Sequence, residues 1–464
     1  MSSRVYPQAS RTLAPALLCG LWAAAIAVAP GFPAKILLAL PAIAIPLVWW
    51  SLHKPARWIS LFFVSALLLP PLPIPIGNSG PHPSMVFAAL GLFAGLIWLA
   101  DWRIELTAVS VGLVAMFGIL LASVALAAWN SGLDVAAGSL ARVALFGISV
   151  YVFFYAAYGP GRESNRGLSL LYGAAAISAL FACVDFYYQF PAPAGYGPQF
   201  VWLDTGVYRR AQGLFYEAST LGNFCAFFLT MIAVALTRPR GESPVSRKAL
   251  LAGGTVFFAA LVLSYSRASL INLGVGLAVL AWLNRRRVRI GRLLAILAIG
   301  GGAAAFTTWR VFPQFVEMYW LRLSLSAERI FSATSGVLSG RVESWRTLVE
   351  WISAHPWQTF FGIGYKTLPY SDFVGAPVVA DNMYLSLLVE TGIAGLLALL
   401  FLNGAILRAA GRAARSVDSR ASFCGTWMLC FWAGQTVQMF SGDLLTYWRV
   451  LPVYLWVLAL AVRR

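Results

Sequence analysis

The sequence predicts an all-α polytopic membrane protein with about 12–14 transmembrane helices. Of its 464 residues, 60% are hydrophobic and only 11% are charged, and the mean hydropathy is +0.75. Apolar runs of roughly 20 residues recur between short polar breaks, and a helix needs that length to cross a bilayer. Such runs exclude a transmembrane β-barrel, whose strands need only about 10 residues. We expect residues 1–464 to form a single integral membrane domain.

About fourteen apolar segments are candidate spans, and polar breaks set their boundaries. The first follows Arg4 and Arg11 and could be a cleaved signal peptide. We expect a retained helix instead, because the second segment follows with hardly any gap. In chain order the segments are Leu13–Ala29, Phe32–Trp50, Trp58–Leu69, Ser84–Ala100, Thr107–Trp129, Ala141–Tyr158, Gly167–Tyr187, Leu214–Ala235, Ala249–Ser264, Ala268–Leu283, Leu293–Thr308, Met383–Leu407, Ala421–Phe440 and Leu444–Val462.

The positive-inside rule orients the chain. With the N-terminus in the cytoplasm and alternating spans, most Lys and Arg residues fall in cytoplasmic segments, including the basic run Asn284–Arg292. The opposite orientation would export that run. We therefore expect cytoplasmic N- and C-termini and one long outer loop at residues 309–382.

The formal net charge of +17 raises nucleic acid as a partner. The cations lie in short clusters beside apolar runs and form no basic stripe with interleaved aromatics, so no nucleic-acid binding is expected. The five cysteines all fall inside apolar runs without metal-ligand spacing. We predict neither a metal site nor a cofactor.

Nine cations break the positive-inside rule, because they lie in the predicted outer segments. Cations exported against the insertion bias need a reason, and an anionic ligand at the outer leaflet supplies one. These residues are Arg209, Arg210, Arg267, Arg310, Arg322, Arg329, Arg341, Arg346 and Lys366.

The first candidate constellation lies in Tyr208–Asn223, where an outer loop enters a span. Arg210, Gly213 and Glu217 follow at spacings of three and four. If the helix begins near Gly213, Glu217 lies close to the start of that helix. There Arg210 would bind phosphate oxygens and Glu217 would accept a proton. The alternative is a charge pair that caps the helix and snorkels to the interface.

The second constellation is the short outer turn Leu263–Ser269, LSYSRAS. Arg267 has little loop to extend into, so its guanidinium stays near the membrane surface, where a lipid diphosphate lies. The alternative is an ordinary interfacial arginine bound to lipid phosphate.

The long outer loop carries the third constellation. Two amphipathic helices are expected in it, near Pro313–Phe331 and near Gly340–Ser353, and the second places Arg341 and Trp345 on one face. His355-Pro356 ends that helix.

Beyond this helix, Gly362-Ile-Gly364 predicts a tight turn. The loop re-enters the membrane at Asp381-Asn382. Asp381 is either a reactive carboxylate or a helix N-cap. Glu390, about two turns further on, belongs to the site or is a buried structural carboxylate.

The motifs resemble the O-antigen ligase/polymerase family, whose members are integral glycosyl-transferring proteins. The resemblance covers residues 208–396, and its late block, (H/D)-N-x-Y-L-x-x-L-x-E-x-G-x-x-G-L, is the most specific part. The matching positions are Arg210, Gly213, Ser266, Arg267, Arg341, Trp345, Pro356, Gly362, Gly364, Asn382, Tyr384, Leu385, Glu390, Gly392 and Gly395.

Two departures favour a polymerase over a ligase. Ligases of the family commonly carry a catalytic His before the Asn, and this chain has Asp381 there. The run from Phe215 to Ser219 resembles the E-P-S-like run of exopolysaccharide and capsule polymerases, with Ala218 in place of Pro.

The resemblance implies a bacterial inner-membrane enzyme that acts at the periplasmic face. Its donor would be an undecaprenyl-diphosphate-linked oligosaccharide and its acceptor a glycan or a lipid-linked glycan, with membrane lipids and other polysaccharide export components as partners. Arg210, Arg267 and Arg341 are the candidate diphosphate ligands, and either Glu217 or Asp381 is the candidate general base. Asn382, Tyr384, Glu390 and Trp345 are candidate supporting residues. The reaction would need no metal.

Two rival functions stay open. A ligase would use the same chemistry with a lipid A core or another acceptor. A lipid-linked oligosaccharide flippase would concentrate its polar residues near the bilayer midplane, whereas the charges here lie at the outer edge. The sequence does not specify the sugar, the linkage, the chain length or the oligomeric state.

Overall fold

The computed structural model describes residues 8–52, 56–72, 80–160, 165–192, 196–203, 206–239, 242–285, 341–372, 374–375 and 377–463, together with isolated positions 310, 317, 320, 321 and 324. Within these ranges the chain is an all-α polytopic membrane protein, as predicted. Its helices are α1 (Gln8–Val28), α2 (Gly31–Leu52), α3 (Arg57–Leu68), α4 (Ser84–Ile97), α5 (Ala108–Ser131), α6 (Leu133–Tyr158), α7 (Asn165–Tyr188), α8 (Ala218–Leu236), α9 (Arg247–Leu263), α10 (Arg267–Leu283), α11 (Arg341–Ala354), α12 (Pro356–Phe361), α13 (Met383–Ala413), α14 (Ser419–Gln438) and α15 (Leu451–Val462).

Five of these helices are long and apolar enough to cross a membrane. Shorter apolar helices accompany them, among them α3, α4, α10 and α15. Every predicted span within the described residues coincides with a helix, and the predicted span Leu293–Thr308 lies outside those residues. The five long spans are Ala108–Ser131, Leu133–Tyr158, Arg166–Tyr188, Ala218–Leu236 and Met383–Ala413.

Several predicted boundaries differ from the observed ones, and the starts of α6, α8 and α15 differ for clear structural reasons. α6 begins at Leu133 instead of Ala141, because the chain turns at Gly132, where φ is +90°, and Asp134 suits a first helical turn. α8 begins at Ala218 instead of Leu214, after a short 3₁₀ turn and the left-handed Tyr216.

The last of these errors lies at the start of α15. The predicted span from Leu444 starts only at Leu451, one residue before Pro452, because proline fits the first turn of a helix and not its interior. The residues before Leu451 form turns at the same end of the bundle as the loop that carries Asp381.

The outer segment that leads to Arg210 contains a β-hairpin that the sequence analysis did not anticipate. Strands β1 (Phe200–Leu203) and β2 (Gly206–Arg209) pair antiparallel, with Phe200 opposite Arg209. The hairpin therefore ends where the first constellation begins.

The predicted loop helix near Gly340–Ser353 is confirmed as α11, whereas the one near Pro313–Phe331 lies outside the described residues apart from isolated positions. α11 packs on the re-entrant loop through a small apolar cluster of its own. Its buried members are Leu348, Trp351, Ile363, Leu368, Ala380 and Val389.

The predicted turn at Gly362–Gly364 docks onto a kink in α13. The backbone N–H groups of Ile363 and Gly364 donate to the carbonyl groups of Val389 and Glu390 at 3.1 and 2.8 Å. Gly392 supplies the kink with φ of +72°, and a Cβ there would lie 2.2 Å from the Phe360 carbonyl oxygen. Only glycine fits this position.

A buried charge cluster holds the same loop. Lys366 pairs with Asp443 from the turn before α15, and the Glu390 carboxylate accepts from the backbone N–H of Leu368 at 3.3 Å. Burial opposes the charge of Lys366, but the carboxylates of Asp443 and Glu390 outweigh it and raise the Lys366 pKa. The cluster connects the loop to α13 and to the turn before α15.

Candidate active site

Arg210 is anchored to the turn that carries Arg267. Its backbone N–H donates to the carbonyl of Gln199 at 2.8 Å, which extends the hairpin by one step. Its Nε donates to the carbonyl of Ser264 at 2.9 Å. The turn of the second constellation therefore positions the Arg210 side chain of the first constellation.

Helix α8 approaches this turn at Gly222. A Cβ built there would lie 2.7 Å from Cβ of Ser266 and 2.8 Å from Oγ of Ser269. Arg267 is the first residue of α10, directly after the turn. The missing side chain at Gly222 thus allows α8 to pack directly against the turn that carries Arg267.

Glu217 occupies the N-cap position of α8, but its side chain caps no backbone N–H. Its Oε2 instead accepts from the Thr220 hydroxyl at 2.6 Å. Burial raises the pKa of Glu217, the charges of Asp381 and Asp443 raise it further, and the Thr220 hydrogen bond and Arg210 oppose the rise. The net result is a carboxylate that holds a proton more tightly than a free glutamate does.

Helix α11 positions Asp381 by two contacts one turn apart. The Nε of Arg341 lies 3.0 Å from Oδ2 of Asp381, and Nε1 of Trp345 donates to the carbonyl of Ala380 at 2.7 Å. Asp381 has a φ of +44°, which is uncommon for a residue other than glycine. The two side chains of α11 therefore hold this backbone.

The N-cap interpretation of Asp381 is wrong. Asn382 caps α13, because its Oδ1 accepts from the backbone N–H of Leu385 at 3.2 Å. Asp381 is thereby left to pair with Arg341.

The charged groups of all three constellations act on one another. Burial lowers the pKa of Arg210, the charges of Arg341 and Arg267 lower it further, and Tyr447 and Glu217 oppose them. Since Glu217 also interacts with Asp381, the structure brings together the five residues that we selected from the sequence: Arg210, Arg267, Arg341, Glu217 and Asp381.

Two candidate supporting residues lie outside this centre. The Tyr384 hydroxyl donates to the carbonyl of Thr436 at 2.8 Å, and its ring packs on Phe440. Glu390 is 1% exposed and belongs to the cluster around Lys366. Trp345 and Asn382, in contrast, flank Asp381 directly.

Sequence reasoning missed Tyr447 and Asp443. Burial raises the pKa of Tyr447 well above its ordinary value, and the nearby charges of Glu217, Asp443 and Asp381 raise it further. Tyr447 lies in the turn that we took for the start of the last span, and Asp443 lies directly before it. Pro452 was the signal that could have moved that boundary.

A network of buried amides lies between the helices below the centre. Asn223 of α8 and Asn272 of α10 both donate to the side-chain oxygens of Gln435 and Gln438 of α14, at 2.6–3.0 Å. The Tyr454 hydroxyl donates to Oδ1 of Asn223 at 2.6 Å. Polar groups inside a membrane protein favour helix association by such bonds.

Among the described residues, no group of three or more His, Cys, Asp or Glu residues could hold a metal ion. The absence of a metal requirement remains a prediction.

The comparison with known families covers part of this centre. Residues 252–400 match the family model described as O-Antigen ligase, which confirms the family resemblance predicted from the motifs. The match includes Arg267, Arg341 and Asp381 and ends before α14. No curated protein matches the chain with significant sequence similarity.

The contact at Gly222 yields a test of this geometry. We expect Gly222→Ala to force α8 away from the 264–269 turn and to lower stability by about 1–3 kcal/mol, as overpacking does. The melting temperature in detergent and the glycan-transfer rate should both fall.

Gly274→Ala is the matched control, because no atom lies within 4 Å of a Cβ at that position of α10. If Gly222→Ala behaved like this control, the close approach of α8 to the turn would be refuted.

Proposed function

Because residues 252–400 match the O-Antigen ligase family, we propose that this protein transfers a glycan from an undecaprenyl diphosphate to a sugar hydroxyl at the periplasmic face of the inner membrane. We further propose that it is a polymerase of the exopolysaccharide or O-antigen type. The observation that carries the proposal is the meeting of three arginines and two carboxylates at one end of the helical bundle.

The guanidinium groups suit a diphosphate leaving group. Arg210 follows strand β2, Arg267 is the first residue of α10, and Arg341 is the first residue of α11. Guanidinium groups form paired hydrogen bonds with phosphate oxygens. Binding of the diphosphate reduces the repulsion among the guanidinium groups. The attraction between these groups and the diphosphate grows as negative charge develops on it in the transition state.

The transfer step is a single displacement. The acceptor hydroxyl oxygen attacks the anomeric carbon, and the bond from that carbon to the phosphate oxygen breaks. The bonding electron pair leaves with the diphosphate, and the hydroxyl proton passes to a carboxylate. One displacement inverts the anomeric centre.

We assign the base to Glu217 and a positioning role to Asp381. A general base works best when its pKa lies near the working pH, and the pKa of Glu217 is raised. Asp381 pairs with Arg341 at 3.0 Å. This pair fixes the position of the Arg341 guanidinium.

The ligase alternative differs only in its acceptor. The family description favours it, and Asp381, in the position where ligases commonly carry His, favours the polymerase. Purified enzyme given a lipid-linked repeat unit alone should build a ladder of chain lengths. A single product that forms only when a lipid A core is added would identify a ligase.

The first functional prediction concerns the diphosphate ligands. Arg210→Ala and Arg267→Ala should each lower the transfer rate by about 10²–10³-fold, as loss of one preorganised donor does. The measurement is product formation by enzyme in proteoliposomes. Arg346→Ala is the control. Arg346 was also predicted to lie in the outer loop, and it is an exposed cation on α11. Wild-type turnover in Arg210→Ala would refute the diphosphate assignment.

The second concerns the base. The base must be deprotonated, so the rate should fall as pH drops through the Glu217 pKa, which lies above its ordinary value of 4.5. Glu217→Gln should lower the rate by about 10²–10⁴-fold and abolish this acid limb. Asp381→Asn should retain the limb and mainly raise KM for the donor. An acid limb lost in Asp381→Asn and kept in Glu217→Gln would reverse the two roles.

A further inference from the structure

A cavity of about 220 Å³ lies beside the candidate active site. Its wall comes from the end of α7, from residues 189–192 and from the residues around Arg209. The side chains that the argument uses are Asp185, Gln189, Phe190, Arg209 and Tyr216. Arg209 precedes Arg210 and Tyr216 precedes Glu217, so the cavity and the reaction centre share one stretch of backbone.

The polar wall of the cavity has unused hydrogen-bonding capacity. Asp185 is buried, and its Oδ2 lies 3.6 Å from the terminal nitrogen of Arg209, which is too long for a hydrogen bond. The Nε of Arg209 is buried and has no hydrogen-bond partner among the described residues. A buried donor in this state calls for a ligand that accepts a hydrogen bond, as the oxygen of a sugar hydroxyl group does.

The opposite wall is aromatic. Phe190 is 45% exposed, and its ring is held in stacks with Phe181 and Tyr188, each at 5.9 Å between centroids. Tyr216 stacks on Tyr196 at 4.7 Å. A fixed ring face beside a carboxylate and a guanidinium suits a sugar, which presents C–H groups on its faces and hydroxyls on its edge.

The backbone around the cavity is strained. Gln189 and Tyr216 both adopt positive φ, at +54° and +56°. Non-glycine residues in this region are uncommon and are found disproportionately at binding sites. Both residues line the cavity.

Charge and size limit the ligand. Asp185 and Arg209 offset each other, the Arg449 guanidinium lies 5.7 Å from the Tyr216 ring centroid, and the Asp185 carboxylate disfavours phosphate. Cavities that enclose drug-sized ligands begin at about 300 Å³, and this one is smaller. It suits a single ring rather than an oligosaccharide.

We propose that this cavity is a subsite for one neutral pyranose residue of the glycan. The proposal rests on the proposed function for its biological meaning, but sugar binding at the cavity can be measured without any transfer reaction. The subsite would hold the glycan through one sugar residue, while a hydroxyl group of the adjacent sugar residue lies at Glu217.

The test is saturation-transfer NMR on the purified full-length protein in detergent, with methyl glycosides of glucose, galactose, mannose and N-acetylglucosamine as ligands. At least one should bind to the wild type. Phe190→Ala and Asp185→Asn should each weaken that binding by about tenfold, as expected from one lost contact. Phe190 is partly exposed, so its replacement should leave the melting temperature unchanged.

Two controls separate this subsite from the reaction centre. Leu180→Ala removes a 51% exposed side chain from α7 that does not line the cavity, and this variant should bind sugar as the wild type does. Arg210→Ala should lose transfer and keep sugar binding. If no glycoside binds to the wild type, or if binding survives in both Phe190→Ala and Asp185→Asn, the subsite is refuted while the transfer function stands.

Discussion

The centre depends on holding Arg210 close enough to Arg267 and Arg341 to be repelled by their charges. Two like charges about 8 Å apart repel by about 2 kcal/mol at an effective dielectric constant near 20. Such an arrangement persists only if the fold enforces it and opposite charges offset it. Glu217 and Asp381 supply the opposite charges, since the first interacts with Arg210 and the second pairs with Arg341.

The fold enforces the arrangement from two directions. On the membrane side, Gly222 lets α8 touch the turn before Arg267, and amides on α8, α10 and α14 bind one another below. On the loop side, α11 grips Ala380 and Asp381. The Lys366–Asp443 pair and the backbone bonds at Gly392 fix that loop to the bundle. The arginines can therefore meet an anion without first rearranging the chain, which is the condition for electrostatic catalysis.

Much of this was predictable, because membrane insertion leaves strong traces in sequence. Run length predicts the helices. The nine cations that violate the positive-inside rule include Arg210, Arg267 and Arg341. Glycines at Gly362 and Gly392 mark the docked loop. The failures have local causes: Asp381 and Asn382 are both good caps, and sequence alone cannot say which one caps α13. The turn with Asp443 and Tyr447 is apolar enough to be read as membrane helix, and the hairpin before Arg210 is too short for a periodic signal.

The most direct test is a structure of the protein with a non-transferable undecaprenyl diphosphate analogue bound. The account predicts phosphate oxygens within hydrogen-bonding distance of the guanidinium groups of both Arg210 and Arg267, with the lipid tail against the adjoining apolar helices. A diphosphate bound elsewhere, or bound while these two arginines point into separate cavities, would contradict it.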